Sequence, residues 1–386
     1  MGRRWRLAAF GLALGLLAGC SSAEYVAAGP WRPKLEGPPP AVNPPADPDL
    51  PPPSDPDEPE TAPEDGAEDP NVVASGLETP WGLALLPDGS ALVGERRTGR
   101  ILQVFPDRSP AQEWMTVPGL DAGGDGGLLG LALSPTYAED GLVYAYATTA
   151  TDNRILRFPL GGTPQPILTG LPRGERHNGG RIAFGPDEAL YVGTGDTGRP
   201  RLAADPDSLA GKLLRVDIFG APVGNNPAPD SAIYSRGHSN VTGICFDGAD
   251  RMFVTESGQP EGDELNLVAP GADFGWPENR GSAPAATYPA GQDGLGGCGI
   301  AARVAFLGAL DGKRIWVSIL DGNGESVGTP EEFLTGVYGR LRTVVIDPVG
   351  ALWITTSNLD GTDPPAEEDD KVLRVLPPSD AGGGVS

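Results

Sequence analysis

Apolar residues recur along the chain in short runs that are separated by turn residues. One clear example is Ile182-Ala183-Phe184, which is followed by Gly185-Pro186-Asp187, by Leu190-Tyr191-Val192 and, further on, by residues 212–216. No segment repeats its apolar positions at the 3.6-residue period of an amphipathic helix. Short apolar runs bounded by Gly, Pro and Asp predict β-strands joined by tight turns.

The same strand-turn-strand pattern returns six times at intervals of about 40 to 60 residues, as expected for a repeat architecture. In the fifth and weakest copy, residues 304–310 precede residues 314–318. The copies begin at Leu83, Leu131, Ile182, Ile244, Val304 and Thr343. Each unit would bury its faces only against its neighbours, which is typical of propeller blades. We therefore predict an all-β fold over residues 71–378, a six-bladed β-propeller of four-stranded antiparallel blades. The alternative, a β-sandwich or two β domains, does not account for the regular period.

The first 19 residues have the pattern of an export signal. Basic Arg3, Arg4 and Arg6 precede an apolar stretch over residues 7–17, which is shorter than the ~20 residues of a membrane-spanning helix. Leu17-Ala18-Gly19-Cys20 resembles a bacterial lipobox, which implies a lipoprotein signal peptide and lipidation of Cys20. The predicted location is extracytoplasmic, with contact to the membrane only through this lipid anchor. An ordinary secretory signal is the alternative, and the Sec and Tat routes both stay open.

Residues 20–70 form a Pro- and acid-rich segment. Fourteen of the 42 prolines and eleven acidic residues lie between Trp31 and Pro70. Such a composition buries too little apolar surface to offset the entropy of ordering, so we predict a disordered stalk. Residues 379–386 are predicted to be a flexible tail.

Charge and cysteine content restrict the partners and the compartment. The formal net charge of −24 excludes nucleic acid as a partner class. Besides Cys20, the chain has Cys245 and Cys298, which an oxidising compartment would allow to pair. Sequence alone leaves open whether they do.

The chain has two histidines. His177 lies in a glycine-flanked loop, Glu175-Arg176-His177-Asn178-Gly179-Gly180-Arg181, where it would act as a general base or only bind a neighbouring turn. His238 is predicted to hold a turn. Asp196, at the end of a strand, would orient a loop or ligate a cation.

Two further segments would bind ions. Residues 256–264 offer carbonyl and carboxylate oxygens that suit Ca²⁺, without the spacing of an EF-hand. Arg340 and Arg342 alternate along an extended stretch and therefore share one face, where they would hold an anion. A solvated face or an ion pair between blades is the alternative for these two arginines.

Ten stretches, in order along the predicted domain, resemble the glucose/sorbosone dehydrogenase family. These stretches are Pro80–Ala84, Glu95–Arg100, Gly127–Gly130, His177–Arg181, Tyr191–Asp196, Ser208–Arg215, Gly237–Asn240, Gly262–Asn266, Phe274–Pro277 and Gly339–Arg342. The resemblance implies a six-bladed propeller that binds pyrroloquinoline quinone (PQQ) and Ca²⁺. It also implies a small-molecule sugar as the substrate.

The resemblance assigns roles to individual residues. His177 matches the general base, and Gly258 and Gln259 match the residues whose carbonyls hold Ca²⁺. Four positions match contacts of the quinone: Asp125, Asn240, Arg340 and Arg342. The chain departs from the family pattern at Ser239 and Asp311, where the family carries cations, and at Arg176, where it carries an acid. It also departs at Asp125, where the family commonly carries Gln or Glu.

The resulting functional hypothesis is the PQQ- and calcium-dependent oxidation of an aldose at C1 to the lactone. His177 would take the hydroxyl proton while hydride passes to the quinone. The sugar and the downstream electron acceptor are not specified by the sequence. Two alternatives stay open: a non-catalytic cell-surface propeller that binds carbohydrate or protein, and a calcium-dependent hydrolase of the lactonase type.

Overall fold

The computed structural model describes residues 69–278, 280–289, 294–361, 363–366 and 368–377. The chain divides into two units, and all of these residues belong to the second, Pro45–Ser386. The predicted signal peptide, Cys20, nearly all of the predicted stalk and the predicted tail lie outside the described residues. None of the short helices in the described part has the length and apolarity that a bilayer-spanning helix needs.

The described chain forms six four-stranded antiparallel sheets, which confirms the predicted β-propeller. Strand β1 (Val72–Ala74) comes first along the chain and belongs to the last blade. Blade 1 contains β2 (Pro80–Leu85), β3 (Ala91–Glu95), β4 (Arg100–Val104) and β5 (Gln112–Thr116). Blade 2 contains β6 (Leu128–Leu133), β7 (Leu142–Thr148), β8 (Asn153–Pro159) and β9 (Gln165–Leu171). Blade 3 contains β10 (Ile182–Phe184), β11 (Leu190–Gly193), β12 (Lys212–Val216) and β13 (Ile233–Arg236).

The second half of the ring repeats this order. Blade 4 contains β14 (Val241–Phe246), β15 (Met252–Glu256), β16 (Asp263–Val268) and β17 (Ala286–Tyr288). Blade 5 contains β18 (Leu295–Ala301), β19 (Val304–Ala309), β20 (Arg314–Leu320) and β21 (Ser326–Phe333). Blade 6 contains β22 (Leu341–Ile346), β23 (Leu352–Thr356), β24 (Val372–Val375) and, outermost, β1. Helical turns are short: α1 (Tyr137–Asp140), α2 (Arg201–Ala204) and a 3₁₀ turn (Asn358–Asp360).

The first strand of each blade lies next to the central axis. Strands β2, β6, β10, β14, β18 and β22 contact one another in that order, and β22 contacts β2, so the inner strands form a closed ring. Six apolar clusters lie between neighbouring blades. The ring closes where β1 pairs with β24, with Val72 opposite Leu373. Each blade therefore depends on both neighbours for the burial of its apolar faces.

Blade 5 shows what the repeat pattern missed. Residues 304–310 and 314–318 correspond to its second and third strands, whereas its inner strand is the glycine-rich β18. A Cβ atom at Gly296 would lie 2.1 Å from the carbonyl oxygen of Arg342, and one at Gly299 would lie 2.7 Å from Ile346. Glycine is needed here because β18 and β22 approach so closely, and this removes the apolar signal of a strand.

Cys245 and Cys298 form a disulfide, which answers the question that the sequence left open. Cys245 lies on β14 and Cys298 on β18, and their Cα atoms are 5.8 Å apart. The bond therefore joins the inner strands of blades 4 and 5, across 53 residues of sequence. Disulfides of this kind are typical of proteins that fold in an oxidising compartment.

Candidate active site

A cavity of about 820 Å³ opens at the end of the propeller where the inner strands begin. Its walls come mainly from residues at or just before the start of the six inner strands, and from loops that follow the second strands of blades. All seven residues that the sequence proposed for the cofactor, the metal and the base line it: Asp125, His177, Asn240, Gly258, Gln259, Arg340 and Arg342. The fold therefore gathers positions that are up to 217 residues apart, from Asp125 to Arg342.

His177 is held by a buried carboxylate. Its Nδ1 atom lies 3.0 Å from Oδ1 of Asp196, which is 1% exposed. Asp196 Oδ1 also accepts the N–H of Gly198 at 2.7 Å, and Oδ2 accepts the indole N–H of Trp276 at 2.9 Å. Burial alone would raise the pKa of Asp196, but the hydrogen bonds from His177 and Trp276 outweigh it and leave the pKa below its usual value.

These contacts determine which nitrogen of His177 can accept a proton. Because an ionised carboxylate only accepts hydrogen bonds, Nδ1 carries the hydrogen and Nε2 is left as the basic atom. Nε2 lies against Gly258, where a Cβ atom would be 2.7 Å away. Gly258 also has φ = +91°, a conformation that other residues rarely adopt. The glycine therefore keeps the basic nitrogen open to the cavity.

Asp125 and Asn240 hold the histidine loop. The Asp125 carboxylate accepts the backbone N–H of His177 at 2.8 Å. Asn240 Oδ1 accepts the N–H of Gly179 at 2.9 Å, and its Nδ2 donates to Ser257 Oγ at 3.2 Å. Both side chains line the cavity and fix the backbone around His177, whose φ is +56°.

The opposite wall carries arginines around one carboxylate. Asp360 accepts hydrogen bonds from Arg96 at 2.7 and 3.1 Å and from Arg97 at 2.9 Å, and it lies 3.5 Å from Arg342. Burial opposes ionisation of Asp360, but the bonds from Arg96 prevail and its pKa is lowered. Arg96 also donates to the carbonyl oxygens of Gly124 and Gly126. This group connects blades 6, 1 and 2.

The protein compensates the charges of Arg340 and Arg342 less completely. Arg340 pairs with Asp311 at the cavity rim, and its Nε atom is buried without a hydrogen-bond partner. Burial lowers the pKa of Arg340. Burial also lowers the pKa of Arg342 to about 10, against the attraction of Asp360. Desolvated cations with incomplete partners favour a bound anion.

The loop after β15 combines polar groups beside the base. Gly258 and Gln259 line the cavity, and the N–H of Gly258 donates to Asp263 Oδ1 at 3.1 Å. Asp263 also accepts the N–H of Leu295 at 2.8 Å and is 3% exposed. Within the described residues, no three His, Cys, Asp or Glu side chains cluster as a metal site. A cation here would therefore depend on backbone oxygens.

Sequence reasoning did not single out several residues of the cavity. Arg96 and Trp81 lie within stretches that carry the family resemblance, but no role was predicted for them. Asp360 gave no signal, because its partner Arg96 is 264 residues away along the chain. The second histidine, His238, is fully buried between Glu256 and Ser235, at 2.6 and 2.7 Å. It lies outside the cavity lining.

Comparison with known proteins agrees with this geometry. The sequence model of the Glucose / Sorbosone dehydrogenase family matches residues 77–293. A PQQ-bound aldose sugar dehydrogenase from Streptomyces coelicolor is 43% identical with a TM-score of 0.75, over 78% of this chain and 95% of that one. A putative oxidoreductase (glucose dehydrogenase) from Thermus thermophilus is 36% identical with a TM-score of 0.73, over 79% and 98%.

A curated relative, quinoprotein glucose dehydrogenase B from Acinetobacter calcoaceticus, is 31% identical over 253 residues. That alignment covers 55% of this chain, and the chain spans only about half (53%) of the relative's length. The family match covers more than half of the chain, and the solved structures share its six-bladed fold along almost their whole length. The chain therefore belongs to the glucose/sorbosone dehydrogenase family.

Proposed function

We propose that this protein oxidises an aldose at C1 to the lactone, with PQQ as the electron acceptor and His177 as the general base. The observation that carries this proposal is the His177–Asp196 pair, whose basic nitrogen opens into a cavity lined by arginines. Family membership and the PQQ-bound relative from Streptomyces coelicolor support the class of cofactor and substrate.

The cavity suits a polycarboxylate such as PQQ. The buried Nε atom of Arg340 lacks a hydrogen-bond partner, and burial lowers the pKa of Arg342 to about 10. An anion beside these two groups would accept a hydrogen bond from Arg340 Nε and would stabilise the charge of Arg342. Asp311 competes for Arg340 and therefore weakens the site without removing it. We propose that Arg340 and Arg342 hold carboxylates of the cofactor.

The residues around His177 account for proton removal. Asp196 stays ionised because of its hydrogen bonds, so it orients the ring and stabilises the imidazolium that forms. His177 Nε2 takes the proton of the C1 hydroxyl while hydride leaves C1. A bound quinone would supply the two-electron acceptor for that hydride. The product carries a carbonyl at C1, which in a cyclic aldose is the lactone.

The carbonyl oxygens of Gly258 and Gln259 are the proposed ligands of Ca²⁺, with Asp263 beside them as an acidic neighbour. The family resemblance and the position of this loop next to His177 support the assignment. Ca²⁺ would act as a Lewis acid on the accepting carbonyl.

We further propose that the protein acts outside the cytoplasm, anchored through lipid on Cys20. The Cys245–Cys298 disulfide supports an oxidising compartment. Metabolic labelling with a fatty acid would test the anchor. Label should enter the full chain and be lost in Cys20→Ala, whereas labelling of both proteins or of neither would contradict lipidation at Cys20.

Reconstitution tests the proposed activity. The full-length protein is mixed with PQQ and Ca²⁺, cofactor binding is titrated, and dye reduction is assayed with a panel of aldoses. His177→Ala should bind PQQ like the parent chain and lose turnover by about 10²–10⁴-fold, the usual contribution of a general base. A parent chain that binds no PQQ at tens of micromolar would contradict the cofactor assignment. Normal turnover in His177→Ala would contradict the role of the base.

A further inference from the structure

Arg181 lies immediately before β10, behind the Trp81 side chain that lines the cavity, and is only 6% exposed. Its Nε donates to the carbonyl oxygen of Thr242, and its Nη2 donates to Thr343 Oγ1, both at 2.9 Å. The guanidinium stacks over the ring of Trp81, 4.3 Å from the ring centroid. A Cβ atom at Gly297 would lie 3.1 Å from Nη2, so the glycine leaves room for this group.

Arg181 differs from the other buried arginines of the described chain. Four arginines of the described chain are buried, and the three besides Arg181 each bind a carboxylate: Arg96 with Asp360, Arg215 with Asp187, and Arg374 with Asp347. Both acceptors of Arg181 are neutral, and no carboxylate in the described ranges pairs with it. A buried charge without a counter-ion is strongly unfavourable, so a partner from outside the chain would explain why the charge is retained.

The position of Arg181 indicates what that partner is. Trp81 and Thr242, which it contacts, line the functional cavity. On its other side, Arg181 lines an apolar chamber of about 450 Å³ in the central channel. Arg342 approaches the same Trp81 ring, with 5.9 Å from its guanidinium to the centroid. Burial, and then repulsion from Arg342, lowers the pKa of Arg181 to about 9.

We propose that Arg181 is an anion-binding residue of this cavity, whose charge is compensated by a polycarboxylate held above Trp81. This inference rests on the proposed function, in which that anion is the cofactor. Arg181 then acts through its charge, from beneath the indole ring and alongside Arg340 and Arg342. Its burial without a counter-ion makes the free protein less stable, and a bound anion stabilises the loaded protein.

Titration of PQQ into full-length variants, without any assay of turnover, tests the proposal. Arg181→Met should raise the Kd by about tenfold or more, as expected for loss of one charge at this depth. Arg181→Lys keeps the charge but loses the stacking and the fork of donors, so its Kd should rise less than that of Arg181→Met. Arg215→Met is the matched control, because Arg215 is equally buried but pairs with Asp187, away from the cavity. Its Kd should be unchanged.

Melting temperatures of the free proteins provide the second measurement. Arg181→Met removes a charge without a counter-ion, so it should melt above Arg215→Met, which breaks an ion pair. Each of three results would overturn the proposal. These are a lower melting temperature for Arg181→Met than for Arg215→Met, a parent-like Kd in Arg181→Met, and a loss of affinity in Arg181→Lys equal to that in Arg181→Met.

A second probe, benzene-1,3,5-tricarboxylate, separates this proposal from the proposed function. If the parent chain binds the tricarboxylate but not PQQ, the quinone assignment fails, and the same variants then test Arg181 against the tricarboxylate. If the parent chain binds neither anion, both proposals are overturned.

Discussion

The two sides of the cavity differ in how completely their polar groups are satisfied. On the side of blades 2 to 4, His177, Asp196 and Asn240 all have partners within the protein. On the side of blades 5 and 6, Arg340 has a buried Nε atom without a hydrogen-bond partner and forms an ion pair with Asp311. The first side is organised before any ligand arrives, as a base that moves a proton requires. Under the proposed function, the cofactor would complete the second side.

The largest expected effect on activity concerns the side of blades 2 to 4, which carries His177 and Asp196. Asp196→Asn should lower kcat by about 10³–10⁴-fold, because an amide can stabilise the wrong tautomer of His177. The Kd for PQQ should not change, because Asp196 is directed at His177 and Trp276. Steady-state kinetics and cofactor titration on the same preparation measure both quantities. Asp363→Asn, an exposed acid bound to Lys313, is the control. A kcat within tenfold of the parent value would contradict the role of Asp196.

The disulfide joins blades 4 and 5, and therefore joins the two sides. Replacing Cys245 and Cys298 together by Ser should lower the free energy of unfolding by about 2–4 kcal/mol, through the greater entropy of the unfolded chain. Denaturant titration of parent and variant measures the difference. If the bond only stabilises the fold, the Kd for PQQ will be retained in native buffer. Equal stability of the two proteins would mean that packing between the blades holds the ring without the bond.

The open face of His177 depends on a single glycine. Gly258→Ala would place a methyl group 2.7 Å from Nε2, and the resulting shift of the ring should lower kcat/KM by about 10²-fold. Gly350→Ala is a matched control, because Gly350 also has φ = +91° and a Cβ atom there meets nothing within 4 Å. Turnover of both variants is compared under the same cofactor load. Similar activity of the two variants would show that the ring tolerates the methyl group.

The smallest expected effect concerns the side of blades 5 and 6, where Arg340 pairs with Asp311. Asp311→Asn should release Arg340 and lower the Kd for PQQ by about fivefold, close to the free energy of an exposed ion pair. The gain should shrink as salt is added, since screening weakens the pair in the parent chain. Cofactor titration at two ionic strengths measures both effects. An unchanged or higher Kd would mean that Asp311 does not compete with the cofactor.

The fold was predictable from sequence because each blade repeats one local pattern. The turn aspartates recur at Asp187, Asp247 and Asp347, and an arginine of the same blade binds each of them. Such local chemistry leaves a readable signal in these three copies. The inner strand of blade 5 was missed because close packing against blade 6 requires glycine there instead of apolar side chains.

The site was only partly predictable. His177 and Arg340 were proposed because they lie in stretches that resemble a family, and Gly258 lies in a segment whose oxygen atoms suit Ca²⁺. Their partners were not assigned, because a contact such as Arg96–Asp360 joins distant loops and leaves no spacing along the chain. The missing counter-ion of Arg181 is likewise a property of the folded ring and cannot be read from its neighbours in sequence.

The closure of the ring by β1 and β24 has a consequence for biosynthesis. Val72–Ala74 is made about 300 residues before its partner strand Val372–Val375. Of the described strands, β1 is made first, and its backbone stays unpaired until β24 has been made. A polypeptide that stops short of Val372 would leave two strand edges exposed in one blade, each able to pair with another molecule. Closure of the ring thus depends on the synthesis of β24.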